Sequence, residues 1–300
     1  MERDSFLYKL RRKGQIIAHR VFPHEMMARI YSRIVIKKSV DLKNPQTFNE
    51  KIQWSMLHYY PNNPLVVQCA DKYAVREYIR EKGLEKLLVP LSGAWKNADE
   101  IIWDELPNEF VLKCAHGCAY NILCKEKACI DEKTVKKQLN KWLKEDFGEF
   151  NTELHYSKIN PRMIVCEEYL GECITDYKFF CFNGEPKYIY VSNDLVHDRQ
   201  AQIGFFYLDG TKMPMVRKDY TDIPSVVLPD FFEEMKESAK VLCEDFPFVR
   251  VDFFLANGRY YFAELTFTPS GGMMPFNPDE FDLEWGRMID LSRIEKKYIS

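Results

Sequence analysis

Apolar positions along the chain follow two rhythms, and these divide it into helices and strands. Met27, Ile30, Ile34 and Val35 recur at helical spacing and predict a helix over 24–36. Phe6, Leu7, Leu10, Ile16 and Ile17 give a looser stripe over 6–20, with Pro23 between the two helices. Thr47-Phe48-Asn49-Glu50 fits a capping box that opens a helix running through Tyr59. Pro64 suits the first turn of a further helix, over 64–81, which Gly83 stops. Val135, Leu139, Trp142 and Leu143 mark a helix over 131–146, and Phe232, Met235, Ala239 and Leu242 another. A last helix is expected over 279–289. Strands are expected over 110–113, near 121–124 and over 163–168. Asn183-Gly184 joins strands over 176–182 and 187–191, Asn257-Gly258 joins 249–255 to 259–267, and a further pair flanks Asp209-Gly210. Helices interspersed with antiparallel hairpins predict an α+β (mixed α/β) fold. There is no internal repeat and no low-complexity linker.

Composition changes this picture little. With 300 residues, 46% hydrophobic and 29% charged, the chain has ample core and reads as globular. No stretch approaches the length of a membrane-spanning helix. The first thirteen residues, MERDSFLYKLRRK, lack the apolar core of a signal peptide, so a cytoplasmic location is expected. Nine cysteines, none spaced as CxxC, are expected to be reduced thiols. Charge is unevenly spread. Residues 1–40 carry ten Lys/Arg against three Asp/Glu, while the remaining 260 carry 32 against 42. This basic arm either meets an anionic membrane surface or packs on the body with its charges in water. The acidic body argues against nucleic-acid binding.

The densest chemistry lies in Arg250-Val251-Asp252-Phe253 and Ala263-Glu264-Leu265-Thr266. A two-residue Asn-Gly turn would set Glu264 on the face opposite Asp252. A three-residue loop, Ala256-Asn257-Gly258, would pair Arg250 with Glu264 and gather Arg250, Asp252, Glu264 and Thr266 on one face. The other face would then be Val251, Phe253, Leu255, Tyr261, Ala263, Leu265 and Phe267. Burying unpaired charge is costly, so the three-residue loop is expected. Two carboxylates and a hydroxyl suit Mg²⁺, while an Arg–Glu cross-strand pair beside a solvated Asp is the plainer reading. Lys113 ends a strand ahead of a loop containing Gly117, where a lysine can meet phosphate. Lys72, Arg76 and Arg80 follow at four-residue spacing and would share one helix face.

Taken in order, these pieces resemble the ATP-grasp superfamily, and within it the TupA-like branch associated with teichuronopeptide and capsular polysaccharide genes. The resemblance rests on NPQTFNEKIQW (44–54), ADKYAVR (70–76), FVLK (110–113) with His116-Gly117, EEYL (167–170), DYKFFCFNG (176–184), and RVDF (250–253) through ELTFTP (264–269). It spans about residues 40–285. Two positions depart from the wider pattern. Ala119 stands where a second loop glycine is common, and Thr266 where most ATP-grasp enzymes carry asparagine, although the TupA-like branch shares the threonine.

The resemblance implies an ATP-grasp fold of two α+β lobes. Its expected divisions are a helical arm (1–40), a helical region (41–108), a small lobe (109–169) and a large lobe (170–300). It implies that Lys72 and Lys113 hold ATP phosphates, and that His116 and Gly117 belong to a lid over them. Glu167, Glu168, Tyr169 and Leu170 would form the adenine-binding hinge. Asp176 would meet the ribose, Lys178 would reach the γ-phosphate, and Asp252, Glu264 and Thr266 would hold Mg²⁺, two ions being expected. Arg250, with Lys113 and Lys178, would stabilise the transferred phosphoryl group. The implied activity is ATP-dependent joining of a carboxylate to an amine through an acyl phosphate, with an amino acid or simple amine and a uronic acid as partners in surface polysaccharide synthesis. No side-chain nucleophile is required, and His116, His155 and His197 are expected to be structural or surface groups. A glycosyltransferase is the alternative enzyme, but the chain has no DxD motif. A non-catalytic ATP-binding protein is the remaining alternative.

Overall fold

The computed structural model describes residues 6–193, 201–217 and 220–300, with His197 outside them. Two antiparallel-dominated sheets organise the chain. The smaller has four strands in the order β1 (Leu91–Trp95), β4 (Ile164–Glu168), β2 (Phe110–Cys114) and β3 (Asn121–Cys124). The larger has six: β10 (Arg259–Thr266), β9 (Phe248–Ala256), β5 (Thr175–Phe182), β6 (Glu185–Asn193), β7 (Gln202–Tyr207) and β8 (Thr221–Asp222). Among these described strands, only β7 and β8 pair in parallel.

Alternation along each strand decides what faces the core. In β2, Phe110, Leu112 and Cys114 are buried against α6 (Glu132–Lys144), where Leu139 is fully buried. Val111 and Lys113 therefore point to the opposite face. In β5, Phe179 stacks on Phe232 of α9 (Phe232–Cys243), at 5.6 Å between ring centroids. The other β5 face is divided along its length. Phe180 and Phe182 pack under Phe48 and Trp285, whereas Lys178 and Asp176 mark its polar end. Phe48 opens α3 (Phe48–His58) and Trp285 lies in α10 (Glu280–Met288). The expected capping box holds α3: Thr47 Oγ1 accepts from Glu50 N–H, and the Glu50 carboxylate accepts from Thr47 N–H. Gly286 lets α10 lie against this cap, because a Cβ there would meet Gln46 O at 2.2 Å and the Thr47 carbonyl carbon at 2.5 Å.

Several expectations need correction. The helix over 64–81 is two helices, α4 (Pro64–Ala70) and α5 (Val75–Glu81). Asp71 interrupts it by accepting from the backbone N–H groups of Tyr73 and Ala74, a local turn that competes with the helix. Lys72 therefore sits in that turn and does not share a helix face with Arg76 and Arg80. The strand expected after Asp209-Gly210 reduces to one bridge, Phe206 with Lys212. The sheet edge β1 had no clear alternation to announce it. The 249–267 hairpin also closes differently. Its turn is the two-residue Asn257-Gly258, with Arg259 opposite Ala256 and Phe262 opposite Phe253. A bulge at Ala263 then shifts the register, so that Glu264 faces Asp252 and Thr266 faces Arg250. The bulge achieves what the three-residue loop was expected to do for the charges. It also leaves Phe262 and Tyr260, not Ala263 and Tyr261, beside Phe253 in the main core.

At the N-terminus, α1 (Phe6–Val21) and α2 (His24–Val35) pack against the body. Gln15 Nε2 donates to Phe150 O at 3.2 Å, the Arg12 guanidinium lies 3.9 Å over the Phe150 ring, and Met27, Ala28 and Ser32 are buried. The cysteines at the nine positions are all free thiols.

Candidate active site

Neighbouring strands of the large sheet place charges of opposite sign side by side. Glu264, Asp252, Lys178 and Tyr190 stand in one row across β10, β9, β5 and β6. Asp252 is fully buried, yet both of its oxygens are occupied. Arg250 donates to Asp252 through Nε at 2.7 Å and through Nη2 at 2.6 Å, and Lys178 Nζ donates at 3.2 Å. Lys178 also donates to Asp176 at 2.8 Å. Thr266 Oγ1 accepts from Arg250 at 3.0 Å and donates to Glu264 at 2.9 Å.

Burial penalises each of these charges, and their neighbours decide the outcome. Lys178 stays raised because Asp252 and Asp176 more than offset its desolvation. Arg250 is raised against the same penalty, chiefly by Asp252. Burial pushes the Asp252 carboxyl up, opposed by Arg250 and Lys178. Burial also opposes ionisation of Glu264, but Lys72, Arg250 and Lys178 hold that carboxyl down at about 2. Tyr190 is pushed up to about 12 by burial, against the charges of Arg217, Lys178 and Arg250.

The other sheet completes the cleft. Lys113 and Glu167 lie on its cleft face, where they pair directly. Glu167 also faces Arg76 at 3.8 Å, and Arg76 donates to Val89 O at 2.9 Å. Lys113 Nζ lies 5.9 Å from the centre of the Phe254 ring on the large sheet. Lys72 spans the same gap. Its ammonium donates to Gly117 O at 2.7 Å and lies 3.8 Å from Glu264. The two distant lysines and the two acidic residues of the hairpin thus share one cleft.

Beside the charges, an apolar pocket opens between the sheets, walled by Val111, Leu123, Leu170, Ile174 and Phe254, with Lys113, Glu167 and Asp176 at its polar side. Glu168 and Tyr169 also line it. Glu168 N–H is taken by Pro90 O at 3.0 Å, and Leu170 O accepts from Asn257 at 3.3 Å. The 116–120 loop meets the charged part of the cleft through the Gly117 carbonyl, which accepts from Lys72. His116 is buried, with Nε2 beside the carbonyls of Trp142 and Glu145 at 3.1 and 3.2 Å, so it closes the C-terminal end of α6. Burial, and then Arg162, lower its pKa to about 4, and the ring is neutral. Ala119 sits at φ 58, the left-handed region that a glycine would occupy without cost.

The cleft can be tested for magnesium on its donors. Among the described residues, no three His, Cys, Asp or Glu side chains converge to hold a metal. Asp252 is committed to Arg250 and Lys178. Glu264 is an ionised carboxylate with room left: its Oε1 accepts from Thr266, and its Oε2 lies 3.8 Å from Lys72, beyond hydrogen-bond reach. One such carboxylate, with phosphate oxygens and water supplying the rest of the shell, fits the habits of Mg²⁺. Sequence reasoning missed Arg76, Tyr190 and Ser192, whose Oγ lies 3.4 Å from Asp176. Alternation in β6 carries the signal for the last two, since Tyr190 and Ser192 face Lys178 and Asp176 across the hairpin.

A family model described as TupA-like ATPgrasp matches residues 50–290. This chain belongs to that family. No curated protein matches it by sequence. Solved structures similar to it include D-alanine–D-alanine ligase from Bacillus anthracis complexed with ATP, at 13% identity over 66% of this chain and 55% of that one, with a TM-score of 0.42. N5-carboxyaminoimidazole synthase from Aspergillus clavatus, in complex with ADP and 5-aminoimidazole ribonucleotide, is similar at 12% identity over 67% and 45%, with a TM-score of 0.40. The ATP-grasp ligase PsnB, complexed with a minimal precursor, is similar at 15% over 69% and 55%, with a TM-score of 0.38. The chain spans about half the length of these structures.

Proposed function

We propose that this protein is an ATP-dependent carboxylate–amine ligase that forms an amide through an acyl phosphate. The reading is carried by one observation: charges of both signs, drawn from both sheets, surround a cleft beside an apolar pocket. In this reading the pocket takes the adenine, with the backbone of Glu168 and Leu170 along its edge and Tyr169 in its wall. Leu170 O already accepts from Asn257, which leaves the Leu170 amide as the group for a ring nitrogen. Asp176 meets the ribose. Lys113, released from Glu167, and Lys72, beside the loop carbonyl of Gly117, take phosphate oxygens. Arg250 and Lys178 stabilise charge as the γ-phosphoryl group moves to the substrate carboxylate. Glu264 holds Mg²⁺, Asp252 keeps Arg250 and Lys178 in place beside it, and Thr266 aligns Glu264 with Arg250. The metal would supply charge neutralisation at the phosphates. His116 acts on the loop by holding its base to α6, without touching the nucleotide.

The family's association with teichuronopeptide and capsular polysaccharide supports a uronic acid as the carboxylate and an amino acid or simple amine as its partner. A screen of uronic acids against amines, followed by ADP release and product mass, tests this. ADP release that depends on both substrates, with a product heavier by the amine less water, is the expected result. Nucleotide binding without turnover across the screen would favour a non-catalytic ATP-binding protein, and sugar transfer from a nucleotide sugar would favour a glycosyltransferase. Glu264→Gln is expected to raise the magnesium needed for half-maximal ADP release and to lower the rate together. Unchanged turnover would remove the metal assignment.

A further inference from the structure

The N-terminal helices pack on the body with part of their surface, and the part left in solvent has an unusual composition. One side packs inward through Gln15 and Arg12 at Phe150, and through buried Met27, Ala28 and Ser32. The rest of their surface, including the last turn of α2, leaves large apolar side chains in solvent. Ile17 is 62% exposed, Val21 67%, Ile34 69% and Val35 56%, with Phe22 and Met26 also exposed. Half of the twelve exposed large hydrophobic residues in the described chain fall between positions 17 and 35. Ile17 and Val21 lie one turn apart on α1, Met26 and Arg33 share a row on α2, and Ile34 and Val35 continue the rows of buried Met27 and Ala28 two turns on, where the end of α2 projects into solvent. Arg33 is exposed on α2, and Lys37 is exposed in the left-handed turn that follows it. Residues 1–40 carry ten basic against three acidic residues, whereas the body is acidic.

We infer that this face lies on an anionic phospholipid bilayer, with Ile17, Val21, Phe22, Met26 and Ile34 entering the interface and Arg33 and Lys37 meeting headgroup phosphates. Charge complementarity selects this occupant: a basic, apolar strip on an otherwise acidic protein suits a negative surface, which repels the rest of the molecule. No helix among the described residues is long and apolar enough to cross a membrane, so contact is in the plane of the interface. Held this way, the protein would work at the membrane surface.

Vesicle co-sedimentation of the full chain tests the inference. Phosphatidylcholine vesicles containing phosphatidylglycerol should pull the protein down, and phosphatidylcholine alone should not. The doubles Ile17→Ser/Ile34→Ser and Arg33→Glu/Lys37→Glu each change only exposed positions, so their melting midpoints should match the parent. The Arg33→Glu/Lys37→Glu double should weaken vesicle binding by more than about tenfold, from two basic residues at such a surface, and the Ile17→Ser/Ile34→Ser double by about tenfold or more through lost apolar burial. Failure of the parent to sediment with the anionic vesicles would overturn the inference, as would equal binding by either double. Concentration-dependent self-association of the parent, lost in the Ile17→Ser/Ile34→Ser double, would assign the face to a second copy instead.

Discussion

Lys113 and Glu167 face each other in a part-buried pair, and Glu167 keeps a second cation, Arg76, at 3.8 Å. Removing the lysine therefore does not strand the carboxylate. Lys113→Ala is expected to abolish ADP release while costing only about 1–3 kcal/mol of stability. Turnover assays beside urea unfolding would check both halves, and undiminished turnover would refute the phosphate role. His155 is a different case. It is fully buried beside Tyr60, Tyr156 and Phe267, and neither ring nitrogen has a partner among the described residues. Burial lowers its pKa to about 3. The unfolded chain binds a proton there near pH 6.5, so the stability tied to the neutral ring is complete above that pH and is lost as pH falls toward 3. His155→Phe removes two unsatisfied nitrogens and should stabilise the protein by ~1 kcal/mol at neutral pH. The gap over the parent should widen between pH 6.5 and 4, read as unfolding midpoints. A constant gap would show that another group sets the acid response.

Elements were legible where local chemistry dictated them. Asn183-Gly184 and Asn257-Gly258 take positive φ at both residues, the turn that such pairs favour, so both hairpins could be located, although the second was expected to close with a three-residue loop. The bulge at Ala263 could not, because an inserted residue leaves no mark in the hydrophobic pattern. Its consequence was still foreseen, since leaving charges in the oily face would be costly. The break between α4 and α5 had a signal in Asp71 that helical spacing outweighed. The edge strand β1 had none, because Leu91-Ser92-Gly93-Ala94-Trp95 neither alternates nor favours a strand throughout. The missing side chain of Gly286 sets how closely α10 approaches the α3 cap, and the atoms in the way are backbone, which cannot rotate aside. Gly286→Ala is expected to cost about 3 kcal/mol, in the range of overpacked interiors. A urea midpoint within error of the parent would show that α10 can shift freely.

The two sheets and the helices that cover them form one body, and the N-terminal arm is attached to it by few contacts. The main core runs through Phe48, Phe180, Phe182 and Trp285 and draws little from residues 1–38. Ala28 joins only a small cluster with Val40, Leu42 and Leu57. Ser32 Oγ lies 3.0 Å from Gln53 Oε1, but Gln53 keeps its own bond to Gly272 O at 2.9 Å. Lys38 meets Asp279 and Asp282 at 3.2 and 3.6 Å, and Asp282 retains the backbone N–H of Asn49. The cleft charges take their partners from elsewhere: Lys72 from Gly117 and Glu264, Lys113 from Glu167, and Lys178 and Arg250 from Asp252. Removing residues 1–38 should therefore lower the urea midpoint, through the exposed underside of α3 and the loss of the Phe150 contacts, while leaving nucleotide affinity unchanged. Calorimetric titration with a non-hydrolysable ATP analogue and magnesium checks the second part. If the shortened chain binds nucleotide like the parent and no longer sediments with anionic vesicles, the arm serves attachment and the two sheets serve chemistry. If it loses cooperative unfolding, the arm is part of the core, and its exposed apolar strip would have to be explained together with the fold.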